Sequence, residues 1–149
     1  MMNLIKETRH IGISVSDMEK SLKFYQNILG LKVFRVMDES GNYIDNMLSL
    51  KNVRVKTVKL SVNSGNTLIE LLEFKSHVSK PQTRHIYEIG ASHVAFTVEN
   101  LDVCYDYLSK NGVKFTAPPQ FSPDGFAKVT FCYDPDNTPI ELVEVLKKQ

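Results

Sequence analysis

The sequence predicts an α+β fold built from two β-α-β-β-β modules, and three observations carry that prediction. The stretch Arg9-His-Ile-Gly-Ile-Ser-Val-Ser-Asp-Met is echoed by Ser92-His-Val-Ala-Phe-Thr-Val-Glu-Asn-Leu. The helical pattern that follows each echo stops at a glycine, Gly30 or Gly112, which lies 20 residues past the first histidine and 19 past the second. Each half then closes on a strand containing Ile-Glu-Leu, so that Glu70 and Glu141 occupy matching places. Similarity at a long internal period marks one structural unit used twice. Two such units supply eight strands, and neither alone covers its own sheet. The modules span residues 9–74 and 90–146, joined by a linker over 75–89, within a single domain of 149 residues.

A chain of this length buries roughly 70% of the surface its unfolded form exposes and needs no disulfide staples. Its net charge of +1 comes from 18 basic and 17 acidic residues spread along the chain. No basic block follows a phosphate backbone, which argues against a nucleic-acid partner. No apolar run approaches the roughly 18 residues that span a bilayer, and the opening Met-Met-Asn-Leu-Ile-Lys-Glu-Thr lacks the apolar centre of a signal peptide. A cytoplasmic protein is expected, with no membrane partner. Cys104 and Cys132 are too few for a disulfide framework and have no metal-type spacing, so both are expected to be buried thiols.

The first strand is expected from about Arg9 to Val15. Period two puts His10, Gly12 and Ser14 on one side and Ile11, Ile13 and Val15 on the other, so the histidine side is lined by small groups and leaves room for a ligand. Ser16 and Glu19 form a capping box, after which Met18, Leu22, Tyr25 and Leu29 mark an apolar helix face that Gly30 ends. A strand over Leu31 to Met37 leads into a turn-like stretch, Asp38 to Asn42. Tyr43, Met47 and Leu50 then fall at helical spacing, as a short helix or a lid over a pocket. Arg54 to Val62 and Thr67 to Phe74 form a hairpin about Asn63, Ser64, Gly65 and Asn66. The polar stretch holding Pro81 has no apolar periodicity; His77 and His85 are expected as solvent-exposed linker residues, and Lys80 and Arg84 as surface residues in preference to anion contacts at a pocket rim.

In the second module His93, Ala95 and Thr97 share a face, again small apart from the histidine, while Val94, Phe96 and Val98 point the other way. Asn100 caps a helix showing Leu101, Cys104, Tyr105 and Leu108. Val113 to Thr116 resumes as strand, and Pro118, Pro119, Pro123 and Gly125 mark an irregular loop. Phe126 to Cys132 is the third strand. Asp134 to Asn137 turns the chain, and Pro139 opens the last strand, where its missing N–H is tolerated.

His10, Glu70, His93 and Glu141 therefore sit at matched points of the two halves. Two imidazoles and two carboxylates suit a borderline divalent ion such as zinc, nickel, cobalt, manganese or iron. A lone histidine at a strand start is more often hydrogen-bonded or at the surface than a ligand. Each glutamate, however, stands mid-strand among apolar residues, and a buried carboxylate needs compensation. Pairing with arginine or lysine is the competing explanation.

His10-Ile-Gly-Ile-Ser-Val, Ser21-Leu-Lys-Phe-Tyr-Gln-Asn-Ile-Leu-Gly-Leu, Leu68-Ile-Glu-Leu, His93-Val-Ala-Phe-Thr-Val and Asp134-Pro-Asp-Asn-Thr-Pro-Ile-Glu-Leu-Val-Glu together resemble the vicinal oxygen chelate superfamily. That superfamily includes glyoxalase I, methylmalonyl-CoA epimerase, fosfomycin resistance proteins, extradiol dioxygenases and bleomycin resistance proteins. The resemblance runs from Arg9 to Val145. It implies a cupped, eight-stranded mixed sheet with helices outside, a divalent metal held by His10, Glu70, His93 and Glu141, a small-molecule substrate and a homodimer.

A glutamate at position 70 as well as 141 resembles the glyoxalase and epimerase branch rather than the three-ligand dioxygenases. The implied reaction is that of an isomerase or lyase on a small carbonyl compound, with the metal polarising the carbonyl, an enediolate intermediate, and Glu141 or Glu70 moving the proton. Where bacterial glyoxalase I carries an arginine and an asparagine for glutathione, this chain has Ser14 and Phe74. The same resemblance implies two alternatives. One is a metal-free binding protein of the bleomycin resistance kind, with Tyr43, Phe74, Phe121 and Phe126 as candidate lining. The other is an extradiol-type dioxygenase.

Overall fold

The architecture comes from a computed structural model, which describes residues 4–146. Eight strands are divided between two four-stranded mixed sheets. The chain separates into two compact units, residues 1–80 and 81–149, with the boundary inside the polar stretch that follows the first hairpin. Among the described residues no helix is long and apolar enough to cross a membrane.

In the first unit the elements are β1 (His10–Ser14), α1 (Met18–Leu22), β2 (Lys32–Ser40), α2 (Asn42–Leu48), β3 (Arg54–Ser61) and β4 (Leu68–Phe74). The sheet order is β1-β4-β3-β2, with β1 parallel to β4 and the other pairs antiparallel. One sheet face carries Ile13, Val58, Leu60, Ile69 and Leu71, all buried. Removing these side chains from water is the main favourable term of the unit.

The cap of α1 corrects the expected box. Asp17, not Ser16, is the capping residue, and its carboxylate accepts the Lys20 N–H at 3.0 Å. That contact holds the Asp17 acid below its ordinary value. The helix continues as a π-helical segment, Lys23–Ile28, in which the Leu29 N–H reaches back to the Phe24 carbonyl. The wider turn changes the buried face. Met18, Ser21, Phe24 and Tyr25 are buried, while the expected Leu22 and Leu29 are only half-buried. Gly30 stops the element at φ +79, a backbone that glycine adopts freely.

Two further expectations change in this unit. Asp38 to Ser40 stays in β2 rather than turning, and the turn comes only at Gly41. The short helix after it exists, but its inward residue is Ile44, packed with Val53 and Val55 against Leu72 and Phe74. Tyr43 is 74% exposed and Met47 also faces water. Asp45 accepts the N–H groups of Asn52 and Val53, each at 2.8 Å, and so closes the loop after α2. Val53 is buried, so its amide has no water to turn to. Asp45→Ala is expected to cost about 1–3 kcal/mol, read as a lower midpoint in urea unfolding.

In the second unit the elements are β5 (Val94–Thr97), α3 (Leu101–Lys110), β6 (Gln120–Phe121), β7 (Ala127–Tyr133) and β8 (Pro139–Val145). The order β5-β8-β7-β6 repeats that of the first sheet, with the opening and closing strands again parallel. Asn100 caps α3 as expected, accepting the Val103 N–H at 3.0 Å. Glu144 on β8 accepts the Leu101 N–H at 2.7 Å, which ties the helix start to the sheet. Leu101, Leu108, Ile140 and Leu142 are buried.

The expected strand over Val113 to Thr116 is not one. It makes a single bridge, Phe115 to Cys132, and the short β6 follows two prolines that lack N–H donors. Cys132 is fully buried, and burial pushes its thiol up to about 12. Cys104 is half-buried rather than buried.

Candidate metal centre

The two histidines and two glutamates come together as two pairs, one in each unit. In the first, His10 Nε2 lies 2.9 Å from Glu70 Oε2. In the second, His93 Nε2 lies 3.1 Å from Glu141 Oε2. The same register produces both. Gly12 stands opposite Glu70 across the parallel pair β1/β4, and Ala95 stands opposite Glu141 across β5/β8. Each histidine is two residues before that small residue, so it shares the glutamate's face and leans toward it. Glu70 is 9% exposed. Glu141 is half-buried.

The antiparallel neighbours of the glutamates differ. Lys59 on β3 stands opposite Glu70, and its Nζ lies 3.5 Å from Glu70 Oε1. At the same place in the second unit Phe131 on β7 stands opposite Glu141, and its ring meets the edge of the His93 ring at 5.1 Å. Glu70 thus spends one oxygen on a lysine and turns the other to His10. Glu141 has His93 alone as an ionisable partner among the described residues.

The sequence does hold a signal for Lys59. Folding the hairpin about the centre of Asn63 to Asn66 places residue 59 opposite residue 70, because loop length sets register. Phe131 has a weaker signal, since the turn before β8 is one residue longer than the four that read as turn formers.

Among the described residues no three His, Cys, Asp and Glu side chains gather as a group able to hold an ion. Each pair taken alone has suitable geometry. Two donors on one divalent ion, at about 2.0–2.2 Å and near a right angle, stand about 3 Å apart, which matches both N–O separations. The Nδ1 atom of His10 is buried with no hydrogen-bond partner among the described residues, so the polar contact that orients the ring is the one from Nε2 to Glu70. A polar atom left unanswered in this way costs about 1–3 kcal/mol, a cost that persists when Nε2 binds a cation. His77 and His85 lie exposed, the first bonded to Ser76 at 2.8 Å and the second stacked on Tyr87. Of the candidate aromatics, Phe74 packs beside α2, while Tyr43 and Phe121 are largely exposed.

The model of the glyoxalase/bleomycin resistance protein/dioxygenase superfamily matches residues 8–142. The chain belongs to that superfamily. Within it, the chain is 36% identical over 143 residues to the uncharacterized protein YwkD of Bacillus subtilis, covering 95% of this chain and 98% of that one. It is 27% identical to the lactoylglutathione lyase of Escherichia coli O157:H7, covering 91% and 90% of the two chains. A glyoxalase family protein of Bacillus cereus has the same fold, with a TM-score of 0.85 at 21% identity over 99% of this chain and all of that one. Glyoxalase I of Leishmania major follows at 0.67 and 25% identity, over 94% and 87%.

Proposed function

We propose that the chain is a divalent-metal-dependent isomerase or lyase that acts on a small carbonyl compound, in the manner of the glyoxalase and epimerase branch. The observation that carries this reading is the repetition of one His–Glu pair at one register in both modules. His10, Glu70, His93 and Glu141 are the proposed ligands, with zinc, nickel, cobalt, manganese or iron as the ion. A cation bound there would polarise a substrate carbonyl, a contribution of several kcal/mol.

The proton on the adjacent carbon is then moved by a carboxylate of the chain. Glu141 suits that role better than Glu70, because among the described residues no lysine holds it and its only ionisable partner is His93. Glu70 is anchored by Lys59 and serves to hold and orient. Gly12 and Ala95 keep side-chain bulk beside the glutamates small, although the Leu72 side chain packs over Gly12, 3.3 Å from where a Cβ would stand. The relatives named lactoylglutathione lyase make lactoylglutathione the first compound to test, followed by carbonyl acids and thioesters. A homodimer is the expected assembly.

One observation favours a second reading, a metal-free small-molecule-binding protein. Lys59 already compensates part of the buried Glu70 charge without any ion. Metal analysis separates the two readings. The enzyme reading expects stoichiometric divalent metal in the purified protein. It also expects turnover to fall at least about 100-fold on chelation and to return with added metal. Equal activity before and after chelation, or purified protein that takes up no metal, would reverse that preference.

A further inference from the structure

We infer that the first module carries a recognition site for a carboxylate on the substrate, formed by Lys59 with Arg35. The inference deepens the proposed function and rests on the reading that His10 and Glu70 face the reacting molecule. Four residues make one row across the first sheet. Arg35 on β2 stands opposite Lys59 on β3, Lys59 opposite Glu70 on β4, and Glu70 opposite Gly12 on β1. Residues opposite one another share a face, so both cations stand on the face that carries His10 and Glu70.

The row has an excess of positive charge. Lys59 is only 16% exposed along its side chain, and its partner Glu70 stands at 3.5 Å, longer than a good charged hydrogen bond. Arg35 is exposed and makes no ion pair among the described residues. Glu39, on the same face of β2, instead accepts the Thr57 hydroxyl at 3.2 Å. Like charges directly opposite on a sheet repel. One carboxylate against two cations leaves the row one charge positive, and more so when Glu70 is engaged by a metal.

The fold does not demand this arrangement. The second module builds the same row position with Phe131, on the same strand order and register, and among the described residues places no cation beside Glu141. A mostly buried lysine carries a desolvation cost that a phenylalanine avoids. The ion pair with Glu70 offsets part of that cost at 3.5 Å, and a substrate carboxylate would offset more. An anion set against Lys59 relieves the repulsion, and the planar fork of Arg35 suits the two oxygens of a carboxylate.

The test compares two chelating probes, acetohydroxamate and the monohydroxamate of malonate, which differ by one carboxylate. Titration calorimetry on the metal-loaded protein is expected to show the second binding at least about tenfold tighter, the smaller end of what a charged hydrogen bond contributes. Lys59→Met should reduce that preference to under about threefold, and Lys59→Arg should keep most of it. Equal binding of the two probes to the wild type, or an undiminished preference in Lys59→Met, overturns the inference. If the protein takes up no metal, the enzyme reading fails separately and Glu70→Gln decides this one. Freeing Lys59 from Glu70 should then raise the affinity for malonate about fivefold or more over wild type, and no change overturns the carboxylate site. Circular dichroism on every variant confirms that each compares folded protein.

Discussion

Glu141→Gln is expected to remove turnover almost completely, by a factor of about 10³ or more, while leaving the second sheet folded. The glutamine keeps the shape of the side chain and still meets His93, which stands 3.1 Å away. What it loses is the negative charge, and with it both the proposed metal donor and the proposed proton acceptor. General-base catalysis alone contributes about 10²- to 10⁴-fold, so the two losses together exceed either. Excess metal separates them. If Glu141 only holds the ion, saturating metal restores the rate. If it also moves the proton, the protein refills with metal and stays slow.

Glu70→Gln provides the contrast. Its carboxylate is fixed between His10 at 2.9 Å and Lys59 at 3.5 Å, so its expected deficit is in metal affinity and is largely repaired by excess ion. Metal content measured alongside turnover distinguishes the cases. Full activity in both variants ends the assignment of all four ligands.

Most of the scaffold was legible because it depends on local chemistry that a sequence displays directly. The repeated strand openings, the cap at Asn100 and the hairpin about Asn63 to Asn66 each act within a few residues, and each element forms where those signals place it. The misses share a cause. A π-helical turn shifts the buried face of the first helix toward Ser21 and Phe24, and periodicity at 3.6 residues does not foresee it. In α2 the apolar residues sit all round a short helix, so Tyr43 and Met47 were as eligible as Ile44, and packing against Val53 and Val55 chose among them. Lys59 was missed at the level of register. Lys56 and Lys59 lie on opposite faces of β3, and the register has to be counted back from the turn at Asn63 to Asn66 before Lys59 is the one that meets Glu70.

The face away from the candidate centre holds each glutamate in place, and this makes Leu71→Ala the substitution with the largest expected effect on stability. Leu71 is fully buried, follows Glu70 directly on β4 and points to the opposite face. It stands opposite Ile13 on one side and Val58 on the other, both buried. Truncating it leaves a cavity that cannot collapse without disturbing the two ladders of β4, so the cost should lie toward the upper part of the range of about 2–5 kcal/mol seen for Leu→Ala. Against a total stability of about 5–15 kcal/mol, that is enough to lower the melting temperature by roughly 5–15 °C.

Tyr43→Ala serves as the control. It removes a larger side chain, but one that is 74% exposed, and it should change stability by under about 0.5 kcal/mol. Thermal melts followed by circular dichroism compare the two directly. Similar losses from both substitutions would mean that Tyr43 is covered in solution, and a loss below about 1 kcal/mol for Leu71→Ala would mean that β4 is not anchored by its apolar face. The second outcome also bears on the centre itself, because a β4 free to slip by one residue would turn Glu70 to the side that Leu71 now fills and separate it from His10.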